Sequence, residues 1–230
     1  MERTIRVKGK GKISVKPDTI KITIKAEGLR WNYDETIEQS TQDTRILRDA
    51  LKNAGLDPKN LKTTYFSIDS EYESYRDKND DYKDRFVGYK YEHRTYIKFE
   101  NDNKILGKVL YELAHCDVKV KFEINHTVKD KEKVKNDLLE KAVEDSTTKA
   151  KVLAKASGVK LKEILNIDYS WGEIEIYSSP MDDLMVCEAA STYDIDIEAD
   201  DIDVQDTVTI TWTIESVSYT HLTLPTILLV

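Results

Sequence analysis

The chain has 230 residues, of which 40% are hydrophobic and 34% are charged, and its formal net charge at pH 7 is −8. These proportions are typical of a soluble globular protein, and no apolar run is long enough to cross a bilayer, so we expect no membrane insertion. Cys116 and Cys187 lie far apart and outside any CxxC pattern. A disulfide framework and a structural zinc site are therefore both without support.

The charges are distributed unevenly along the chain. Lys162 is the last basic residue, so residues 163–230 hold 15 acidic residues and no basic ones, while residues 1–162 hold 28 acidic and 35 basic ones. A basic segment can indicate nucleic-acid binding, but these lysines are spread over alternating strand and helix positions. We therefore predict no nucleic-acid partner.

The N-terminal stretch MERTIRVKGKG lacks the apolar centre of a signal peptide. We expect the chain as given to be cytoplasmic, and periplasmic or at the cell surface if an upstream signal was removed. Alternation predicts strands over residues 4–15, with Gly9 and Gly11 in the middle, and over residues 19–28. We expect these two strands to form a bent antiparallel pair.

A first helix is predicted over residues 33–54, with Ile37, Leu47 and Leu51 on its apolar face and Gly55 as its C-cap. Two strand-like stretches follow, residues 61–75 and 86–99, separated by the polar sequence RDKNDDYKDR. They predict a long hairpin with an exposed tip. In the second arm, one face is formed by Tyr89, Tyr91, His93, Thr95, Ile97 and Phe99. We expect this aromatic face to provide contacts to a partner.

The second half of the chain repeats this kind of pattern. The predicted strand over residues 86–99, helix over 102–113 and strand over 118–127 echo an earlier set. That set is the strand over residues 19–28, the helix over 33–54 and the strand over 61–73. The longest amphipathic stretch runs from Asp130, a predicted N-cap, to Gly158, a predicted C-cap, with an apolar face formed by Leu138, Ala142, Ser146, Ala150, Leu153 and Ala154. A helix with one apolar face must cover a sheet.

The last predicted strands occupy residues 161–171 and 207–214. Between them, residues 178–206 are acidic and contain Pro180, so we expect a long mobile loop there. Residues 216–230 contain no Asp, Glu, Lys or Arg and continue no pattern. We expect them to be a non-native or disordered tail. The order of elements predicts one α+β domain over residues 1–215, with a mainly antiparallel sheet, helices packed on one face and one long protruding hairpin.

Five stretches, taken in order, resemble the SIMPL-domain family, which includes bacterial periplasmic immunogenic proteins, oxidative-stress defence proteins and a eukaryotic signalling adaptor. They are IRVKGKGKISVKPDTIKITI, AGLDPKNLKTTYFSI, VGYKYEHRTYIKF, LLEKAVEDSTTKAKVLAKASGV and VTITWTI. The resemblance implies an α+β domain that tends to form symmetric oligomers, with no established enzymatic activity or cofactor. A role in stress defence or at the envelope is implied in the same way.

No catalytic motif is present. The four histidines (His93, His115, His126 and His221) show no metal-ligand spacing, and His93 is expected to be packed or at an interface. In residues 193–203, acidic residues alternate as in a calcium loop, but Ala199 replaces the required glycine and Gln205 replaces the closing glutamate. We therefore predict no catalytic residue, no cofactor-binding residue and no metal site.

These observations favour a non-enzymatic protein that assembles with copies of itself through its strand edges and its aromatic hairpin. The alternative is a monomeric adaptor that presents the same hairpin to another protein or to a small ligand. An enzyme has no support in the sequence.

Overall fold

The structure, a computed structural model, describes residues 3–169, 174, 176–178 and 198–216. The chain divides into two compact units. The first contains the described parts of residues 1–15, 130–175 and 203–230, and the second those of residues 16–129 and 176–202. The single domain expected over residues 1–215 stays a prediction.

The described residues form three α-helices and seven strands, which confirms the α+β class. The strands are β1 (Thr4–Val15), β2 (Thr19–Arg30), β3 (Lys62–Arg76), β4 (Tyr82–Glu100), β5 (Val120–Thr127), β6 (Val159–Asp168) and β7 (Ile202–Ser216). The helices are α1 (Tyr33–Asn53), α2 (Asn103–His115) and α3 (Lys131–Ala156). No helix in this part of the chain is both long and apolar enough to span a membrane.

The first unit is a three-stranded sheet in the order β1-β7-β6, with α3 against one face. Asp130 is the N-cap of α3, since its carboxylate accepts the Lys133 N–H at 2.9 Å, and Gly158 follows the helix with φ +65°. The buried face of α3 carries small side chains, including Ala142, Ser146 and Ala150. These meet Val208, Ile210 and Trp212 of β7 in the core.

The backbones of β1 and α3 approach each other closely at two glycines. A Cβ atom on Gly9 would lie 2.0 Å from the Ala142 carbonyl oxygen, and one on Gly11 would lie 2.1 Å from the Leu138 carbonyl oxygen. Close to them the Ser146 hydroxyl, itself buried, donates to the Val7 carbonyl at 3.1 Å. Only glycine fits at these two positions, which explains the pair in the middle of a strand.

The second unit is a four-stranded antiparallel sheet in the order β3-β4-β2-β5, with α1 and α2 on one face. The chain order β2-α1-β3-β4-α2-β5 is a βαββαβ arrangement of ferredoxin-like topology, in which the two βαβ halves interlock. These halves are the two echoing segments of the sequence. The core of this unit joins the sheet to both helices through Ile22, Ile97, Leu47, Leu51, Leu106 and Leu113.

Several details differ from the sequence expectations. β1 and β2 do not pair with each other, since β1 pairs with β7 and β2 lies between β4 and β5. Ile37 and Leu153, expected on buried helix faces, are 41% and 47% exposed. The C-terminal part of the expected loop over residues 178–206 is strand, because β7 begins at Ile202. Residues 179–197 and 217–230, which include most of that loop and of the tail, lie outside the described residues.

The aromatic face of the hairpin, which we expected to contact a partner, is mostly buried. Tyr91, His93, Thr95, Ile97 and Phe99 are all buried, and Tyr91 is fully so. They lie on the face of β4 that α1 and α2 cover. Of the expected face only Tyr89 is partly exposed, so most of the aromatic side chains available to a partner are different ones.

Candidate functional site

The hairpin of β3 and β4 extends beyond the rest of its sheet. β2 ends at Arg30, which pairs with Tyr89, whereas β3 and β4 continue to pair from Glu71 and Gly88 as far as Arg76 and Tyr82. Within the described residues, this two-stranded extension over residues 71–88 pairs with no other strand. We call it the arm. Its position at the edge of the sheet confirms the protruding hairpin predicted from the sequence.

The arm begins at a break in the strand register. Tyr72 pairs with Phe86 and Glu71 with Gly88, so Val87 is an extra residue on β4. Gly88 has φ +139°, and a Cβ atom there would lie 2.4 Å from the Arg30 carbonyl oxygen. A larger residue would collide with the end of β2, so Gly88 lets the arm leave the sheet at this point.

An exposed aromatic cluster lies where the arm leaves the sheet. Phe86 is at its centre and contacts Trp31, Tyr72 and Tyr89 edge to face, with ring centroids 5.4, 5.6 and 5.3 Å apart. Tyr33, the first residue of α1, contacts Tyr89 at 5.5 Å. Trp31 is 64% exposed and Tyr72 is 59% exposed. The rings of the cluster pack against one another, and the outer ones are nevertheless open to solvent.

Six of the ten charged side chains of the arm form ion pairs within it. Arg85 lies 2.6 Å from Glu73, Arg76 lies 2.8 Å from Asp80, and Lys83 lies 2.5 Å from Asp77. The lysine and two backbone amides hold the pKa of the Asp77 carboxyl below its ordinary value. Because these six charges satisfy one another, the exposed tyrosines are prominent among the groups that the arm offers to a partner.

A buried polar network anchors the base of the arm to α1. The Tyr91 hydroxyl donates to Asp43, Gln39 donates to the same carboxylate at 2.7 Å, and Arg30 donates to Gln39. Burial, and then the neighbouring carboxylate, raise the pKa of the Tyr91 phenol well above its usual value. The network satisfies a buried carboxylate and fixes β2, β4 and α1 relative to one another.

The three histidines that the structure describes do not come together. His93 is buried on β4, where its Nε2 lies 2.8 Å from the Thr63 hydroxyl and its Nδ1 lies 3.2 Å from that of Thr44. This confirms the expected packed histidine, and burial lowers its pKa. His126 is buried on β5, and His115 stacks on Tyr111. In the described segments, no three His, Cys, Asp or Glu residues are grouped to hold a metal.

The acidic stretch over residues 193–203 is only partly described. Glu198, Asp200 and Asp201 line an open cleft of about 1260 Å³ together with Lys16, Glu100 and Asp102. Asp102 is already engaged as the N-cap of α2, accepting from the Lys104 N–H at 2.7 Å. Cys116 is a half-buried free thiol, while Cys187 and His221 lie outside the described residues.

Two residues from outside the hairpin, Trp31 and Tyr33, complete the aromatic cluster and were not predicted to belong to a site. Trp31 and Tyr33 stand in LRWNY, directly between a strand and a helix. Large aromatic side chains at a junction that exposes both of them are a signal of a contact surface. These two aromatic residues are visible in the sequence. The contact of Trp31 with Phe86 could not be predicted from it, because that contact depends on the pairing of β2 with β4.

The chain matches the SIMPL family, described as a protein of unknown function (DUF541), over residues 5–212. The match covers nearly the whole chain, and the chain therefore belongs to the SIMPL family. This confirms the resemblance carried by the five ordered stretches. This SIMPL-family protein is therefore an α+β protein with an exposed arm.

Two curated relatives are similar over most of the chain. The 26 kDa periplasmic immunogenic proteins of Brucella melitensis biotype 1 and of Brucella abortus strain S19 are each 25% identical to it over 163 residues. The similar region is 71% of this chain and 65% of either relative, so just under two thirds of each relative's length is matched. Both relatives are named as periplasmic proteins, and the location of this chain stays a prediction.

Proposed function

We propose that this SIMPL-family protein is a non-enzymatic protein that assembles with copies of itself through the arm and the aromatic cluster. One observation carries the proposal. The rings of Trp31, Tyr33, Tyr72, Phe86 and Tyr89 are joined by edge-to-face contacts, while Trp31 and Tyr72 stay more than half exposed. Exposed Trp and Tyr side chains are the residues that most often anchor protein interfaces.

A second copy is the partner that best fits this surface. β3 is the outermost strand of its sheet, and its 15 residues end in the arm. Among the described residues, no strand pairs with its outer edge. Pairing or packing of identical arms about a two-fold axis would cover that edge and both aromatic clusters at once. The three ion pairs within the arm neutralise six of its ten charges, so only a small net charge opposes the approach of two arms.

The surrounding surface offers little for catalysis. The polar side chains of Gln39, Asp43 and Tyr91, on the elements that carry the cluster, are engaged with one another. The proposal therefore assigns binding and not chemistry to this end of the second unit. We extend to this chain the periplasmic location named for its relatives, and with it a role at the cell envelope.

The test is the mass of the protein in solution, measured by light scattering and sedimentation over a range of concentrations. The wild-type protein should be a dimer or a larger oligomer, because a two-fold contact through the arms alone already gives a dimer. The double variant Trp31→Ser/Tyr72→Ser should have a lower mass and an unchanged melting temperature, because both side chains are exposed. Tyr65→Ser is the matched control, since Tyr65 is a 47% exposed tyrosine on β3 below the arm.

Two results would contradict the proposal. One is a wild-type protein that stays monomeric at every concentration, and the other is a double variant that keeps the wild-type mass. A monomer that binds a different protein through the same cluster would instead support the adaptor alternative.

A further inference from the structure

The outer strand β6 of the first unit carries an apolar surface that is exposed among the residues that the structure describes. Ile164, Leu165 and Ile167 are 51%, 54% and 54% exposed, although β6 is paired with β7 along its whole length. β6 is the last strand in the order β1-β7-β6, so its second edge pairs with no strand among the residues that the structure describes. Three large apolar side chains on an open edge are unusual for a protein that remains monomeric.

The strand register shows which face two of these side chains share. Ile164 pairs with Trp212, and Ile167 pairs with Ile210, both of which are buried in the core under α3. Directly opposed residues of paired strands lie on the same face of a sheet. Ile164 and Ile167 therefore lie on the helix-bearing face. They remain exposed there because α3 packs over β1, where the glycines admit its backbone.

Leu161 extends the same strip. It pairs with Ile214, and the register shifts twice, between Leu161 and Ile164 and again between Ile164 and Asn166. These shifts place one extra residue on each side of Ile164 and give the apolar strip a three-residue spacing. The strip Leu161, Ile164 and Ile167 is consequently symmetric in sequence about Ile164.

The charges that flank the strip follow the same symmetry with opposite signs. Lys160 precedes Leu161, and Asp168 follows Ile167. If a second β6 lies antiparallel, centred on Ile164, Ile164 meets its own counterpart and Leu161 meets Ile167. Lys160 then meets Asp168 twice. A parallel arrangement would instead place like charges opposite each other, which is destabilising.

We propose that the outer edge of β6 binds a second copy of this chain, by antiparallel pairing of the two β6 strands about Ile164. The pairing extends the three-stranded sheet across a two-fold axis and joins the two apolar strips into one. The irregularities of β6 oppose each other in this register, since residues 162–163 of one copy face residues 165–166 of the other. Bulges that normally protect an edge are therefore accommodated here.

The ion pairs already present leave this arrangement open. Lys162 binds Glu215 of β7 at 2.7 Å, within the same sheet. Asp168 lies 3.7 Å from Arg6, in an exposed contact with both side chains more than half accessible. Such a long, exposed contact is worth little and can be exchanged for a shorter pair across the new interface.

This interface is independent of the arm, because it lies wholly in the first unit. An isologous contact through β6 closes on itself and gives a dimer, whereas contacts through a second surface link dimers into larger assemblies. The two surfaces can therefore be separated by removing each one alone. In a protein without the arm contacts, the β6 contact should leave a dimer.

The decisive experiment uses the full chain in the Trp31→Ser/Tyr72→Ser background and measures dimer dissociation by sedimentation. Lys160→Asp should raise the dissociation constant by roughly tenfold, since both symmetric ion pairs become repulsive contacts. Asp168→Lys should have a similar effect. The double variant Lys160→Asp/Asp168→Lys should restore the dimer. Restoration by the swap is a result that general destabilisation of the fold cannot produce.

Ile164→Lys should leave only monomer in the same background, with unchanged melting. The control is Val152→Lys, a 62% exposed apolar residue on α3. If the background protein is already monomeric while the wild type is an oligomer, the β6 interface is overturned and the arm proposal stands. If the background protein keeps the wild-type mass, the arm proposal fails. The β6 interface then stands or falls with the effects of the charge variants.

Discussion

Replacing Gly9 by alanine should destabilise the first unit through a single added methyl group. The new Cβ would lie 2.0 Å from the Ala142 carbonyl oxygen and 2.6 Å from the Ser146 Cβ, whereas ordinary contacts begin at 3.4 Å. The obstacle is largely helix backbone and cannot rotate away. α3 must therefore retreat from β1 by about an ångström or more along most of the contact.

The size of the effect follows from what this retreat removes. Overpacking of a core by a methyl-sized group costs about 1–3 kcal/mol, and a rigid obstacle favours the upper end. The retreat would also stretch the 3.1 Å hydrogen bond from Ser146 to the Val7 carbonyl, whose loss costs about 1 kcal/mol more. We expect Gly9→Ala to lose about 3–4 kcal/mol, a large share of the ~5–15 kcal/mol that domains possess.

Urea unfolding followed by circular dichroism measures this loss as a shift of the midpoint. Gly158→Ala is the matched control. Gly158 has φ +65°, but a methyl group added there would meet no atom within 4 Å, so only backbone strain of about 1–2 kcal/mol is expected. If Gly9→Ala loses no more stability than Gly158→Ala, the close packing of β1 on α3 is not what holds the unit together.

Two further predictions concern burial. Leu138→Asp should unfold the first unit, because Leu138 is fully buried on α3 and an unpaired carboxylate there costs several kcal/mol, while Val152→Asp on the solvent side of the helix should melt like the wild type. Burial lowers the pKa of His93 and His126 in the folded protein below the value of about 6.5 that histidine has in an unfolded chain. As the pH decreases below about 6.5, the unfolded chain therefore binds protons before the folded one. The stability present above that pH should then be lost. Urea midpoints at several pH values test this. His93→Gln should flatten the dependence, and the exposed His115→Gln should not.

Local patterns predicted the helices well and their buried faces less well. Both ends of α3 were visible in Asp130 and Gly158, because capping depends on a few neighbouring residues. Leu153 was expected to be buried because it fits the helical period. It is exposed because α3 sits on the glycines of β1, and only the narrow row from Leu138 to Ala154 meets the sheet. The width of a buried face depends on its partner.

The hairpin shows where local sequence patterns reach their limit. A period of two identified β4 as a strand, but aromatic residues occupy both of its faces. Which face is covered depends on how α1 and α2 pack, and these contacts are not local. The same reason explains the wrong pairing of β1 with β2. β1 finds its neighbour in β7, at a distance in the chain that no short pattern reports.

The way the two units share one chain has a consequence for folding. The second unit takes all four strands of its sheet and both its helices from the unbroken segment of residues 16–129, so it can form as soon as that segment has been synthesised. β1 is made before it, yet β1 finds α3 only afterwards and β7 last of all. Contacts so distant in sequence form slowly, because a long loop must close first. During synthesis the backbone groups of β1 therefore remain unpaired. The first unit is the part of the molecule that most needs protection until Ile202–Ser216 has been synthesised.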